Sequence, residues 1–312
     1  MALSVRRRGF AESIMTKATV FEIKRFAVHD GDGIRTTVFL KGCPLKCLWC
    51  HNPEGISARS ELAFYAHKCI GCGECAKVCP TGAHRMTDGG HVFDRSRCTG
   101  CGACAKDCLG NALTFYGKEM TVEELMPILL EDREFYDGTG GGVTLSGGEC
   151  LLQADFCAEL LCACREAGLH TAVDTSGAVP RESFDKVIPY TDVFLYDLKA
   201  ATSETHARCT GMGNERILEN LRYLDEKGCA IEIRIPYVPH YNSDEREGLL
   251  AILAGVKNLV RVRVLAYHSF AGSKYEALGK ENTLPESLPT SEKIEEFQRE
   301  ADAIVAKAHN RI

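Results

Sequence analysis

Apolar positions along the chain follow two periods in alternation. Short runs rich in apolar and β-branched residues predict strands over Thr19–Phe26, Thr36–Leu40, Val143–Ser146, Leu169–Asp174, Val193–Leu198, Ala230–Ile235 and Val260–Tyr267. Between them the spacing turns helical. Phe156, Leu160, Leu161 and Cys164 share one face, as do Ile217, Leu218, Leu221 and Leu224. A last helix carries Ile294, Phe297, Ala301, Ile304 and Ala308. Thr121-x-x-Glu124 reads as a capping box that opens a helix running to about Tyr136. Such alternation predicts an α/β fold with a parallel sheet and covering helices. About six βα units in roughly 250 residues fit a partial (βα)6 TIM-like barrel, in which chemistry sits at the C-terminal strand ends.

One stretch breaks this rhythm. Residues 52–114 are rich in Cys and Gly and contain an internal repeat. Cys69, Cys72, Cys75 and Cys79 recur as Cys98, Cys101, Cys104 and Cys108, each displaced by 29 positions. Repetition of this fidelity predicts a pseudo-twofold insert. The expected division is a flexible tail at 1–18, a barrel at 19–51 and 115–312, and an inserted small domain at 52–114.

Composition narrows the class. The chain has 312 residues, 45% of them hydrophobic and 26% charged, an ordinary globular balance. A net charge of −6 argues against a nucleic-acid partner. No run of about 18 apolar residues predicts a membrane span, and no apolar core follows Arg6, Arg7 and Arg8 to form a secretory signal. A cytoplasmic location is therefore expected. Of 17 cysteines, 11 fall between Cys43 and Cys108. A long chain without an export signal uses such clusters for metal rather than disulfides.

Cys43, Cys47 and Cys50 form a C-x3-C-x2-C loop directly after a strand. Three thiolates can hold three irons of a four-iron cluster and leave the fourth iron open. Zinc is the competing reading, but a closed zinc site takes four ligands, and His51 adjoins Cys50 too closely to complete one well. With Trp49 before its third cysteine, this loop resembles the signature of radical S-adenosylmethionine (SAM) enzymes. The flanks, Gly31-Asp-Gly33-Ile34-Arg35-x3-Phe39-x2-Gly42-Cys43 and Cys50-His51-Asn52, resemble the glycyl radical enzyme activating enzymes over 22 contiguous residues. Asp32 stands where that family often has proline, which would fix φ.

The resemblance implies a SAM site built from strand ends. Gly147-Gly148-Glu149 is similar to the family's GGE motif, which contacts the SAM amino group. Tyr196-Asp197-Leu198-Lys199 supplies an acid and a cation, Arg234 a second cation, and His268 a partner for the ribose. Trp49, Cys50 and His51 resemble the segment bordering the adenine. The implied chemistry is reductive cleavage of SAM, followed by hydrogen abstraction from a glycine of a partner protein. Asp30 and Asp32 are expected to face the incoming glycine loop. Taken one by one, Asp197 with Lys199 also reads as a surface pair, and His268 as a packed core histidine.

The insert resembles a bacterial two-cluster ferredoxin, in which the fourth cysteine of each run serves the other cluster. Cys69, Cys72, Cys75 and Cys108 then hold one [4Fe-4S] cluster, and Cys98, Cys101, Cys104 and Cys79 hold another, for three clusters in all. The resemblance implies a glycyl radical enzyme as protein substrate, of the diol dehydratase, choline lyase or isethionate sulfite-lyase type. It also implies a low-potential donor such as flavodoxin or ferredoxin. Two other readings are an electron carrier on an elaborate scaffold and a different radical SAM activity. The first leaves Cys43, Cys47, Cys50 and Gly147–Glu149 without a role. Cys150, Cys157, Cys162, Cys164, Cys209 and Cys229 read as small core residues.

Overall fold

The computed structural model describes residues 16–309. Its strands are β1 (Lys17–Ala27), β2 (Arg35–Leu40), β3 (Glu61–Phe64), β4 (His84–Thr87), β5 (Gly90–Phe93), β6 (Leu113–Tyr116), β7 (Lys118–Thr121), β8 (Gly142–Gly147), β9 (His170–Thr175), β10 (Val193–Asp197), β11 (Ile231–Tyr237) and β12 (Leu259–Ala266). The main sheet runs β12-β11-β10-β9-β8-β2-β1-β7. From β12 to β2 every neighbouring pair is parallel, and β1 and β7 add antiparallel edges. β2 is buried throughout, as a strand covered on both faces must be.

Helices α1 (Glu74–Val78) and α2 (Ala103–Lys106) belong to the cysteine repeat. With the main sheet go α3 (Val122–Leu130), α4 (Arg133–Thr139), α5 (Ala154–Glu166), α6 (Arg181–Val187), α7 (Ser203–Thr210), α8 (Glu215–Glu226), α9 (Arg246–Ala254) and α11 (Ser291–His309), while α10 (Gly272–Leu278) packs on β3. The faces expected of α5, α8 and α11 are those that pack. Phe156, Leu160, Leu161, Cys164, Ile217, Leu221, Leu224, Phe297 and Ala301 join one core with the strands.

Several boundaries differ from expectation. Residues 1–15 of the expected tail lie outside the described residues, but Lys17 and Ala18 already pair with Thr121 and Met120 as strand. The helix expected from Thr121 to Tyr136 does form the Thr121–Glu124 capping box, yet it breaks between α3 and α4. The break is caused by Asp132, which is buried and accepts from Arg25 Nε at 2.8 Å and Thr36 Oγ1 at 2.9 Å. A continuous helix would place this carboxylate elsewhere. The insert boundary expected at residue 114 falls inside β6, whose pairing with β3 forms the stem of the insert. At the other end, residues 53–56 belong with the first cysteine loop. Gly42 N donates to Gly55 O at 2.8 Å and Cys43 N to Ile56 O at 3.0 Å. Among the described residues no helix is long and apolar enough to cross a membrane.

Candidate active site

Strand register assembles the site. Leu40 pairs with Gly147, Tyr196 with Thr175, and Asp197 with Arg234. The residues that follow these strands therefore share one edge of the sheet. There a cavity of about 720 Å³ is lined by Cys43, Cys47, Trp49, Cys50, His51, Gly147, Gly148, Asp197, Lys199, Arg234 and His268. All the first-loop cysteines and all the expected SAM residues except Leu198 meet in this one space. Leu198 is buried in the core, because strand alternation turns its side chain away from those of Asp197 and Lys199. Its backbone N donates to Arg234 O at 2.9 Å.

The cysteine loop is pinned on both flanks. Lys46 N donates to Thr210 O at 2.8 Å and Leu48 N to Cys209 O at 3.0 Å. Tyr275 Oη donates to Cys50 O at 3.1 Å, and Lys274 Nζ reaches His51 O and Asn52 Oδ1 at 3.2 Å each. The glycine pair has a packing reason as well as room for a ligand. A Cβ on Gly148 would lie 2.3 Å from Gly42 O and 2.4 Å from Gly55 O. Glu149 does not line the cavity. It is buried beneath, accepting from Thr175 Oγ1 at 2.9 Å, Ser176 N at 2.8 Å and Ser176 Oγ at 2.6 Å. Burial raises its pKa against those bonds.

Burial also pushes the Cys43 and Cys47 thiols up to about 12, while the Lys199 ammonium pulls both the other way. Soft sulfur ligands held this dry suit a metal cluster that supplies positive charge. Lys199 Nζ donates to Asp197 Oδ2 at 2.6 Å. Burial opposes the Lys199 charge, but Asp197 together with Cys47 and Cys43 outweighs it and holds the ammonium above its ordinary value. His51 stacks on His268 with ring centroids 4.0 Å apart, and its Nε2 lies 2.8 Å from His268 O. Burial and His268 lower the His51 pKa. Among the described residues, buried Arg234 Nε and His268 Nδ1 have no hydrogen-bond partner, so the cavity wall holds polar groups that a polar ligand would satisfy.

Sequence reasoning gave no role to Asp174. This residue lines the same cavity, accepts from Ser146 Oγ at 2.6 Å and forms an ion pair with Arg234 Nη1 at 3.2 Å. Burial lifts its pKa to about 6 against Arg234, and the Asp197 charge adds to the lift. Its position at the C-terminal end of β9 was the available signal. The expected pair Asp30 and Asp32 divides. Asp30 lines the cavity, as do Glu22, Lys24 and His29. Asp32 is not among the residues lining the cavity and instead reaches Arg261 and Arg263 of β12.

The insert sorts its cysteines across the repeat. A cavity of about 20 Å³ is lined by Cys69, Cys72, Cys75 and Cys108, and one of about 10 Å³ by Cys79, Cys98, Cys101 and Cys104. Four sulfurs round each of two spaces match the crossed sets of the ferredoxin pattern. Of the other six cysteines, Cys150, Cys157, Cys164 and Cys209 are buried and none lines the large cavity.

Comparison with known proteins decides the family. Residues 92–253 match the radical SAM superfamily and residues 62–109 a 4Fe-4S dicluster domain. The choline trimethylamine-lyase activating enzyme of Oleidesulfovibrio alaskensis is 41% identical over 276 residues, covering 86% of this chain and 89% of the relative. The trans-4-hydroxy-L-proline dehydratase activating enzyme of Clostridioides difficile is 39% identical over 285 residues, 90% and 94% of the two chains. The isethionate sulfite-lyase activating enzyme of Desulfovibrio desulfuricans is 41% identical over 271 residues, 84% and 86%.

The chain belongs to the glycyl radical enzyme activating enzymes of the radical SAM superfamily. The activating enzyme thus uses iron–sulfur clusters and SAM to act on a glycyl radical enzyme. The superfamily match begins at residue 92 and leaves out Cys43–Cys50, which the insert separates from the rest of the domain.

Proposed function

We propose that the enzyme holds three [4Fe-4S] clusters. One sits on Cys43, Cys47 and Cys50 with an iron open to SAM, one on Cys69, Cys72, Cys75 and Cys108, and one on Cys79, Cys98, Cys101 and Cys104. When bound, the first supplies the electron for cleavage of SAM to methionine and the 5′-deoxyadenosyl radical that takes hydrogen from a glycine of the partner. The observation carrying this reading is the single cavity in which three thiols face Lys199, Arg234 and His268.

The side chains divide the remaining work. Lys199 and Arg234 bind the SAM carboxylate as charge-assisted donors. Asp197 holds Lys199 in place, and the Gly147–Gly148 backbone leaves room for the amino group. His51 and Trp49 border the adenine, and His268 Nδ1 meets the ribose. Asp30, His29, Lys24 and Glu22 also line the cavity. They face the glycine segment of a partner of the diol dehydratase, choline lyase or isethionate sulfite-lyase type. A low-potential donor such as flavodoxin or ferredoxin delivers electrons through the insert. The domain division follows: a SAM domain from Lys17 to Ile56 and from Lys118 onward, with the insert between. The parallel strands form an open, partial (βα)6 barrel, a reading supported by the Asp32–Arg261 contact. A reducing, cytoplasmic setting fits clustered thiols.

The test is anaerobic. The protein is reconstituted, its iron is counted, and dithionite and SAM are added. About twelve irons and 5′-deoxyadenosine support the reading. In Cys47→Ala about eight irons remain and the product disappears. About eight irons and no product in the unaltered protein leave an electron carrier instead.

A further inference from the structure

The 29-residue repeat is nearly symmetric in its cysteines and in its backbone donors. Ala83 N donates to Cys79 Sγ at 3.2 Å, and its repeat mate Ala112 N donates to Cys108 Sγ at 3.2 Å. The side-chain donors are not symmetric. His91 Nε2 lies 3.5 Å from Cys75 Sγ and its Nδ1 lies 3.9 Å from Cys69 Sγ. The mate of His91, 29 positions back, is Leu62, which lines the other cysteine cavity. There the donor is Thr81, whose hydroxyl lies 3.6 Å from Cys79 Sγ, and its mate is Gly110.

His91 is built into position. Its ring meets Phe64 edge-on at 4.4 Å, and its Nε2 lies 2.9 Å from His84 Nδ1. His84 is itself stacked on Phe93 at 4.6 Å. When His84 Nδ1–H donates to His91 Nε2, the proton of His91 sits on Nδ1 and points to Cys69; in the other tautomer Nε2–H is shared between His84 and Cys75. His84 also lines the second cavity, but its Nδ1 is taken by His91, and among the described residues no hydrogen bond joins its side chain to a cysteine sulfur.

We propose that His91, positioned by His84, sets the potential of the cluster on Cys69, Cys72, Cys75 and Cys108, and that Thr81 separately sets that of the cluster on Cys79, Cys98, Cys101 and Cys104. A hydrogen bond to a ligand sulfur stabilises the extra negative charge of the reduced cluster and so raises its potential. Two clusters of identical ligation thereby become distinguishable, which gives electron transfer through the insert a direction.

The inference rests on the three-cluster reading, so the unaltered protein is analysed first. About four irons there would sink that reading before any variant is made. With about twelve irons present, reductive titration followed by electron paramagnetic resonance gives the midpoints. His91→Phe keeps the ring and removes both nitrogens. It is expected to lower one insert midpoint by about 59 mV, a tenfold change for a one-electron couple, with the iron count unchanged. Thr81→Val is expected to lower the other midpoint and leave the first in place. Unmoved midpoints, or both variants moving the same one, overturn the proposal. Loss of about four irons in His91→Phe also overturns it, because His91 would then be needed to hold the cluster.

Discussion

Arg261 Nη2 donates to Asp32 Oδ2 at 3.0 Å, although β11, β10, β9 and β8 lie between their places in the sheet. In a flat sheet five strand spacings span about 24 Å. The contact therefore requires the sheet to curl until the β1–β2 loop meets β12. Arg263 and Arg261 also hold the buried carboxylate of Glu232, at 2.8 and 3.3 Å. The Asp32 ion pair thus joins the two ends of the curl near the start of β12.

Asp32 is largely exposed, with 63% of its side-chain surface accessible. Exposed pairs contribute about 0–1 kcal/mol. Asp32→Ala is therefore expected to lower stability by less than about 1 kcal/mol and to leave SAM cleavage within about twofold. Asp30→Ala behaves differently, since Asp30 lines the cavity and accepts from Thr37 Oγ1 at 2.9 Å. It is expected to retain SAM cleavage but slow radical formation on the partner by about tenfold or more, roughly 1.4 kcal/mol. Thermal melts and parallel assays of 5′-deoxyadenosine and glycyl radical check both. Equal activation by the two variants would contradict this division.

Gly148→Ala puts a methyl group against two backbone carbonyls, Gly42 O and Gly55 O, which cannot swing aside as side chains do. Overpacking of this kind costs about 1–3 kcal/mol. The strain falls on the cysteine loop, because Glu149 N is bonded to Gly42 O at 2.7 Å. The expected result is a fall from about twelve irons to about eight, with the insert clusters intact and cleavage lost. Full iron and full activity would mean that the loop yields without cost.

Much of this arrangement was legible before the fold was known, and the exceptions share a cause. Strand ends and cysteine spacings are local patterns, so β8, β9, β10 and β11 and the two cysteine runs could be read directly, while the crossed sets came from the ferredoxin resemblance. Asp132 could not, because the groups that break its helix are Arg25 and Thr36, about a hundred residues away in sequence. Glu149 stands within a recognisable motif, but its role as a buried acceptor depends on Thr175 and Ser176 from the next strand's end. Asp174 had only its strand-end position. Its ion pair with Arg234 crosses β10, and no spacing rule links the two.

Asp174 gives the site a pH dependence. Its pKa is about 6, lifted by burial from an ordinary value of 3.8. Above pH 6 the cavity carries its carboxylate, and below pH 6 that charge is lost. SAM has one net positive charge, so its affinity is expected to weaken as pH falls from 8 through about 6 to 5.5. A loss of about tenfold, roughly 1.4 kcal/mol, is the expected scale. Asp174→Asn should bind weakly at every pH and show no step near 6. Anaerobic calorimetry of the oxidised, cluster-loaded protein measures this. A step that persists in Asp174→Asn would assign the titration to another group.

Trp49 is the chain's sole tryptophan, and it is buried in the cavity wall beside Cys50, edge-on to Tyr241 at 6.2 Å. Its emission therefore reports on this site without a label. Iron–sulfur clusters absorb where indole emits, and energy transfer falls steeply with distance, so a cluster on Cys43, Cys47 and Cys50 should quench Trp49 most. Reconstitution of the unaltered protein is expected to suppress the emission. In Cys47→Ala, which keeps the insert clusters, most of it should return. The same comparison separates two explanations for any lost activity. Emission recovered together with about eight irons means that the first cluster is absent. Emission still suppressed with about twelve irons means that the cluster is present and the fault lies in SAM binding. Equal quenching in both proteins at about eight irons would place the dominant quencher in the insert and contradict the assignment of Cys43, Cys47 and Cys50.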